Sequence, residues 1–202
     1  QCALGRMDQI LWPYYQQDLA AGRYTREEAL SLVEEFFLSF NRDSDLYDGI
    51  QQGDNGQSLV LGGVDIHGND QYNELSALML RASLALHLID PKINLRVSKN
   101  TPLEQLTKAT ELTREGLGFP QYLNDDIIIP ALLDWGYAPE DAYNYAAAAC
   151  WEPIIPCCGT EIVNADGLNF PAAVLAAVRE NLPHCGSFDG EVQIDGVNIG
   201  LQ

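Results

Sequence analysis

The chain has few basic residues and no long apolar run, and both shortages restrict what it can do. Only 11 Lys and Arg stand against 29 Asp and Glu in 202 residues, a formal net charge of -18. Such a surface repels phosphate backbones and anionic lipid, which argues against nucleic-acid or membrane-surface binding. No stretch approaches the length of a membrane-spanning helix, and no basic-then-apolar leader opens the sequence. Internal repeats and low-complexity tracts are missing. The five cysteines, Cys2, Cys150, Cys157, Cys158 and Cys185, are odd in number and irregularly spaced, with no Cys-x-x-Cys pair. That pattern argues against a secreted disulfide scaffold and leaves a reducing cytoplasm as the expected compartment. A metal site from Cys157, Cys158, His184 and Cys185 is disfavoured, because adjacent ligands strain a tetrahedron.

What remains is an ordinary globular composition, 47% hydrophobic and 20% charged. Helical and extended patterns alternate along it. Thr25 and Glu28 form a capping box ahead of an apolar face expected through Ala29, Leu30, Leu32, Val33, Phe36, Phe37 and Phe40. Residues 57–62 predict a strand ending in a double glycine, and a turn is expected around His67-Gly68-Asn69. Asn73 opens a helix expected to run to Ile89 and to stop at Asp90-Pro91. Residues 93–98 alternate as a strand; a helix begins after Thr101-Pro102 and ends near Gly116 and Gly118. Residues 119–123 predict a further strand, residues 126–135 a helix interrupted by Pro130, and residues 139–143 a helical turn. The run 144–150 predicts a last buried strand that delivers Cys150, with Pro153 forbidding regular structure beyond it. Asn169 caps a final helix ended by Pro183, and residues 187–202 read as an extended arm or hairpin. Strands joined by helices favour an α/β fold with parallel neighbours.

Two side chains at the mouth of that last apolar run carry chemistry. Cys150 offers a thiol and Glu152 a carboxylate, two positions apart. A thiol can act as nucleophile or radical carrier and a carboxylate can move protons, although a buried cysteine also serves as a plain small hydrophobe. Arg96 could be an anion clamp for a carboxylate substrate or an ordinary salt-bridged strand residue. Asn124 and Asp125 could line a cavity or cap the helix that follows.

The order of blocks along the chain is more specific than any one of them. Gly5-Arg-Met-Asp8-Gln9 through Tyr15, Gly22 through Leu30, Gln57 through Gly63, Asn73-Glu74-Leu75-Ser76, Gly116 through Pro120, Asn124-Asp125-Asp126 and Cys150-Trp-Glu152-Pro153 follow one another. In that order and spacing the chain resembles the glycyl radical enzymes, the pyruvate formate-lyase-like family, from about its first residue to about Phe170. The resemblance implies a ten-stranded barrel of two antiparallel halves, each of five mostly parallel strands wrapped in helices. This chain would supply part of one half, with residues 1–186 a partial barrel domain and 187–202 an arm or linker.

It further implies that Cys150 matches the thiyl-radical cysteine and Glu152 the glutamate that dehydratases and C–X lyases of the family use beside it. Ala149 stands where pyruvate formate-lyases proper carry a second cysteine, which favours elimination over acyl transfer. The family's glycyl loop, Arg-Val-x-Gly followed by an aromatic residue, has its nearest counterpart in Arg96-Val97-Ser98-Lys99, where lysine replaces the glycine. The chain is therefore expected to be an internal piece that binds no cofactor itself and is inactive alone. The parent enzyme would be a homodimer acting on a small-molecule substrate. It would need the rest of the barrel and a glycyl radical installed by an S-adenosylmethionine-dependent, iron–sulfur activating enzyme. A non-catalytic α/β scaffold or partner-binding fragment that keeps the family's shape is the alternative.

Overall fold

The computed structural model describes residues 3–42, 54, 56–149, 152–158, 171, 174–175, 191–194 and 197–200, the last two segments as backbone only. The chain divides into two compact units, Gln1–Val163 and Asn164–Gln202. In the second, β6 (Glu191–Ile194) and β7 (Val197–Gly200) form an antiparallel hairpin. The helix expected after Asn169 falls largely outside the described residues.

The first unit is built on three parallel strands in the order β1 (Ser58–Gly62), β2 (Lys92–Val97) and β3 (Gln121–Asn124). Leu59 pairs with Ile93 and Leu61 with Leu95; Leu95 in turn pairs with Tyr122. Residues 3–5 extend the ladder on the far side of β1, where the Leu4 amide donates to the Ser58 carbonyl (2.8 Å) and the Val60 amide to Gly5 (2.9 Å). A parallel sheet needs helical crossovers and is covered on both faces, which fits the apolar run of β1, whereas β2 alternates and buries its polar Asn94 and Arg96 on the second face.

Each face has its own core. Leu59, Leu61, Ile93 and Leu95 pack under α2 (Arg26–Ser39), α3 (Glu74–Leu86) and α4 (Leu103–Arg114), meeting Phe37, Leu78, Met79 and Leu112. The amphipathic spacing of those helices puts these side chains on one stripe. Val60 and Leu123 face the other way, against Ile129 and Leu132 of α5 (Asp125–Asp134), Ala142 of α6 (Pro139–Tyr143), and Tyr145, Ala146 and Ala147. The remaining helix, α1 (Met7–Ala20), contains Pro13 and lies along β1.

Local chemistry sets the helix ends. Thr25 and Glu28 form the expected capping box, and Asn73 with Ser76 forms a second. Two expectations are corrected. The helix from Asn73 stops at Leu86 rather than Ile89, because His87 turns left-handed (φ 51°) and closes it through a hydrogen bond to Ser83. Pro130 does not interrupt α5, which runs unbroken through it; an interior proline costs about 3 kcal/mol, and burial of Ile129 and Leu132 in the second core offsets it.

Phe37, 1% exposed at the centre of the first core, should be expensive to truncate. Phe37→Ala is expected to lower unfolding free energy by about 3–5 kcal/mol. Leu32→Ala, on the same helix but 46% exposed, should stay within about 0.5 kcal/mol. Urea midpoints of the two variants check the assignment of faces.

Candidate active site

The carboxyl ends of parallel strands are where open α/β sheets place their ligands. Here those ends converge on one buried ion pair. Arg96, the fifth residue of β2, is 1% exposed, and Asp125, the first residue of α5, is 2% exposed. Arg96 Nε lies 2.9 Å from Asp125 Oδ1 and Nη2 lies 2.9 Å from Oδ2, the bidentate fork that guanidinium geometry favours. Nη1 donates to the carbonyls of Tyr143 and Tyr145, each at 3.0 Å. Asp125 also accepts from the Tyr145 hydroxyl (2.7 Å) and the Val64 amide (2.8 Å). The Tyr145 ring lies under the guanidinium carbon, 4.0 Å from its centroid. Burial foremost, with Asp125 adding, pushes the Tyr145 phenol well above its usual pKa, so it stays a neutral donor.

The double glycine after β1 makes room for this pair. At Gly63 (φ 92°) a Cβ atom would stand 2.6 Å from Arg96 Nε and 2.8 Å from its Cζ, inside any permitted contact. Around Gly62 a second polar layer forms. Its carbonyl accepts from Arg6 Nη2 (3.0 Å), and its amide donates to Asp8 Oδ2 (2.7 Å), which also takes the Ser76 hydroxyl (2.6 Å). Burial lowers Arg6 to about 10, helped by the Arg96 charge. Burial raises Asp8, partly offset by its bonds from Ser76 and Gly62.

This polar floor holds the segment that precedes Cys150. Arg96 grips the carbonyls at 143 and 145, and the Ser58 hydroxyl donates to the Ala147 carbonyl (3.1 Å). Ala146, Ala147, Ala148 and Ala149 are all buried, small enough for the backbone to lie close against the sheet. The expected long strand over 144–150, parallel to the others and ended by Pro153, is corrected here. β4 spans only Ala146–Ala148 and pairs antiparallel with β5 (Glu152–Ile154), with Ala148 opposite Glu152 and Ala147 opposite Pro153. Ala149 takes a left-handed conformation (φ 47°) that begins the reversal. Pro153 fits because β5 is the outer strand of a two-stranded ribbon, where a missing amide leaves no ladder bond unmade.

The sequence candidates thus fall into three groups. Arg96 and Asp125 meet, and four of the guanidinium's N–H groups are taken up within the protein. Asn124 is exposed, and its side chain accepts from the Asp126 amide (3.0 Å), the cap of α5. Glu152 is half-buried on β5 opposite Ala148, and Cys150 lies outside the described residues. Arg6, Asp8, Ser58, Gly63 and Tyr145 belong to the site's support although no role is legible for them in sequence. The double glycine after β1 was the one available signal.

Removing one partner of a buried pair strands the other charge. Arg96→Met is expected to cost about 3–5 kcal/mol of stability, read as a urea midpoint shift and lost protection of the Tyr145 region in hydrogen exchange. For Asp8 the effect runs with pH. A carboxyl whose folded pKa is raised binds its proton more tightly in the fold, so stability falls as pH climbs from near 3.8 through the folded value. Asp8→Asn, which keeps an acceptor for Gly62 and Ser76, should flatten that decline in denaturation series at successive pH values.

The chain is similar to proteins of known activity. The family model described as pyruvate formate lyase-like matches residues 1–185. The chain is 36% identical over 154 residues to a (2S)-3-sulfopropanediol dehydratase of Klebsiella oxytoca, covering 73% of this chain and 19% of the relative. It is 31% identical over 176 residues to an isethionate sulfite-lyase of Nitratidesulfovibrio vulgaris, covering 84% and 21%. Among solved structures, the protein of 1,2-propanediol dehydration in Roseburia inulinivorans superposes with a TM-score of 0.70 at 37% identity, over 76% of this chain and 19% of that one. The chain therefore spans about a fifth of the length of the relatives it matches.

Proposed function

The chain belongs to the pyruvate formate lyase-like family of glycyl radical enzymes, and from that premise we propose that it carries the cysteine–glutamate loop of a radical dehydratase or C–X lyase. The observation that carries the reading is the braced return from β4 to β5. Ser58 holds Ala147 of β4 to the sheet, Arg96 and Asp125 hold Tyr145 just before it, and Glu152 stands directly across the ribbon from Ala148. In sequence, Cys150 joins the two strands. Arg96 and Asp125 act in this proposal as positioning residues, not as contacts to substrate.

The family's stored glycyl radical supplies the hydrogen-atom acceptor that converts a cysteine thiol to a thiyl. Cys150 relays that hydrogen atom: its S–H bond is close in strength to an activated substrate C–H bond, so the exchange runs both ways. Glu152 then accepts the proton of a substrate hydroxyl made acidic by hydrogen loss at the neighbouring carbon. The substrate class is a small polar molecule with a hydroxyl beside the abstracted hydrogen. Residues 96–99 do not fit the radical store. Arg96 and Val97 end β2, the Lys99 amide donates to Asp126, and Lys99 has a side chain where the family's loop has glycine. The proposal accordingly calls on a glycyl-loop segment from outside this run, on an S-adenosylmethionine-dependent activating enzyme, on the remaining barrel strands around residues 1–186 and on a homodimeric parent. Residues 187–202 would serve as an arm. The same lysine favours the second reading, a non-catalytic scaffold, if no glycyl-loop segment accompanies the chain.

Two variants in the assembled enzyme separate these readings. Cys150→Ala should abolish turnover while the activating enzyme still raises a glycyl radical signal in electron paramagnetic resonance; turnover that persists returns Cys150 to core packing. Glu152→Gln should slow turnover by at least about a hundredfold, yet deuterium wash-in to unreacted substrate should continue because abstraction precedes proton transfer. A glutamine variant of near-normal rate would remove Glu152 from the mechanism. The chain on its own should give neither turnover nor a radical doublet.

A further inference from the structure

We propose that Cys157 and Cys158 form a modification site of their own, a vicinal dithiol that a hydroperoxide closes to a strained disulfide and a reductant reopens. The inference does not depend on the radical chemistry proposed above. Ile155-Pro156-Cys157-Cys158 makes a tight turn closed by the Cys158 amide on the Ile155 carbonyl (3.1 Å). Proline presets the first central position of such a turn, and the second requires positive φ and usually holds glycine. Cys157 sits there at φ 66°. A thiol thus occupies a position whose backbone favours a residue with no side chain, beside a second thiol. Both are free and exposed.

The two thiols are not equivalent. Cys158 Sγ donates to Asp141 Oδ1 on α6 at 3.4 Å, and that hydrogen bond, with burial and the carboxylate charge adding, raises its pKa. Cys157 is therefore the first to react and Cys158 the one that resolves. A formal net charge of -18 and the neighbouring carboxylate disfavour anionic oxidants such as glutathione disulfide. A small neutral hydroperoxide is not repelled.

In the first step the Cys157 thiolate attacks one peroxide oxygen. The O–O bond breaks, an S–O bond forms, and the departing hydroxide takes a proton to leave as water. The Cys158 thiolate then attacks the Cys157 sulfur: the S–S bond forms, the S–O bond breaks, and the second oxygen leaves as water. Two sulfurs lose two electrons in all and the peroxide gains them. Adjacent Cα atoms are about 3.8 Å apart across a trans peptide, short of the roughly 4.4–6.8 Å that disulfides usually span. The ring is consequently strained and easily reduced, the property of labile rather than structural disulfides. Closure takes Cys158 off Asp141 and redraws the turn that leaves β5, the strand that begins with Glu152.

Hydrogen peroxide titration of the intact protein, followed by peptide mass mapping with and without thiol reductant, tests the site. The peptide holding both residues should lose the mass of two hydrogens and regain it on reduction. Cys158→Ser should instead leave a Cys157 sulfenic acid that dimedone traps and that excess peroxide drives to sulfinic acid. Cys157→Ser should form no ring. Asp141→Asn, which removes the charge that holds the Cys158 thiol protonated, should speed ring closure severalfold. Circular dichroism confirms that each surface variant is folded. Direct passage of the wild-type pair to sulfinic acid, or pairing with Cys2, Cys150 or Cys185, overturns the proposal. Unchanged closure in Asp141→Asn overturns the assignment of Cys158 as the restrained partner.

Discussion

Most of what is ordered around the sheet's carboxyl end hangs on the bidentate contact between Arg96 and Asp125. A guanidinium and a carboxylate at 1% and 2% exposure are costly to desolvate. They are tolerable because each makes further hydrogen bonds. Arg96 takes two backbone carbonyls, one from the last residue of α6 and one from just after it, and Asp125 takes a phenol and the backbone amide of Val64. One pair thereby ties β2, the start of α5, the chain after β1 and the approach to β4. Apolar residues of similar volume could fill the space but could not fix the positions of two carbonyls 47 and 49 residues distant in sequence. Buried polar groups paired this extensively favour a single arrangement.

The sequence revealed the scaffold better than the support beneath the loop. The capping box at Thr25, the helix start at Asn73, the apolar run over 57–62 and the alternating strand over 93–98 are local signals, and the structure follows them to within a residue. Ala146–Ala148 is different. Four consecutive alanines carry no periodicity, so nothing local tells a three-residue antiparallel ribbon from a longer parallel strand. What decides is the left-handed Ala149 and the grip of Arg96, neither of which is a local propensity. Arg96 and Asp125 were each legible as candidates. Their commitment to one another, across 29 residues, was not. Asp8 reads as a helix residue on an acidic chain, yet it is fully buried beneath the Gly62 amide.

The same geometry bears on how a reactive loop would be organised. Catalytic groups are held to within fractions of an ångström by residues that never touch substrate, and rigid elements do this better than loops. β4 is too short to be rigid alone, with three residues and a single partner strand. Its stiffness is borrowed from the sheet through Ser58 at Ala147 and through the Arg96–Asp125–Tyr145 cluster. Every alanine from 146 to 149 is buried, so the segment packs closely along its whole length. The proposed thiol and carboxylate would then inherit their placement from a buried polar floor beneath them. That separation of roles explains why the arginine that looks best suited to hold an anionic ligand is spent inside the protein. A charge free to bind ligand could not also hold the loop's backbone, and four committed N–H groups place Arg96 on the structural side of that choice.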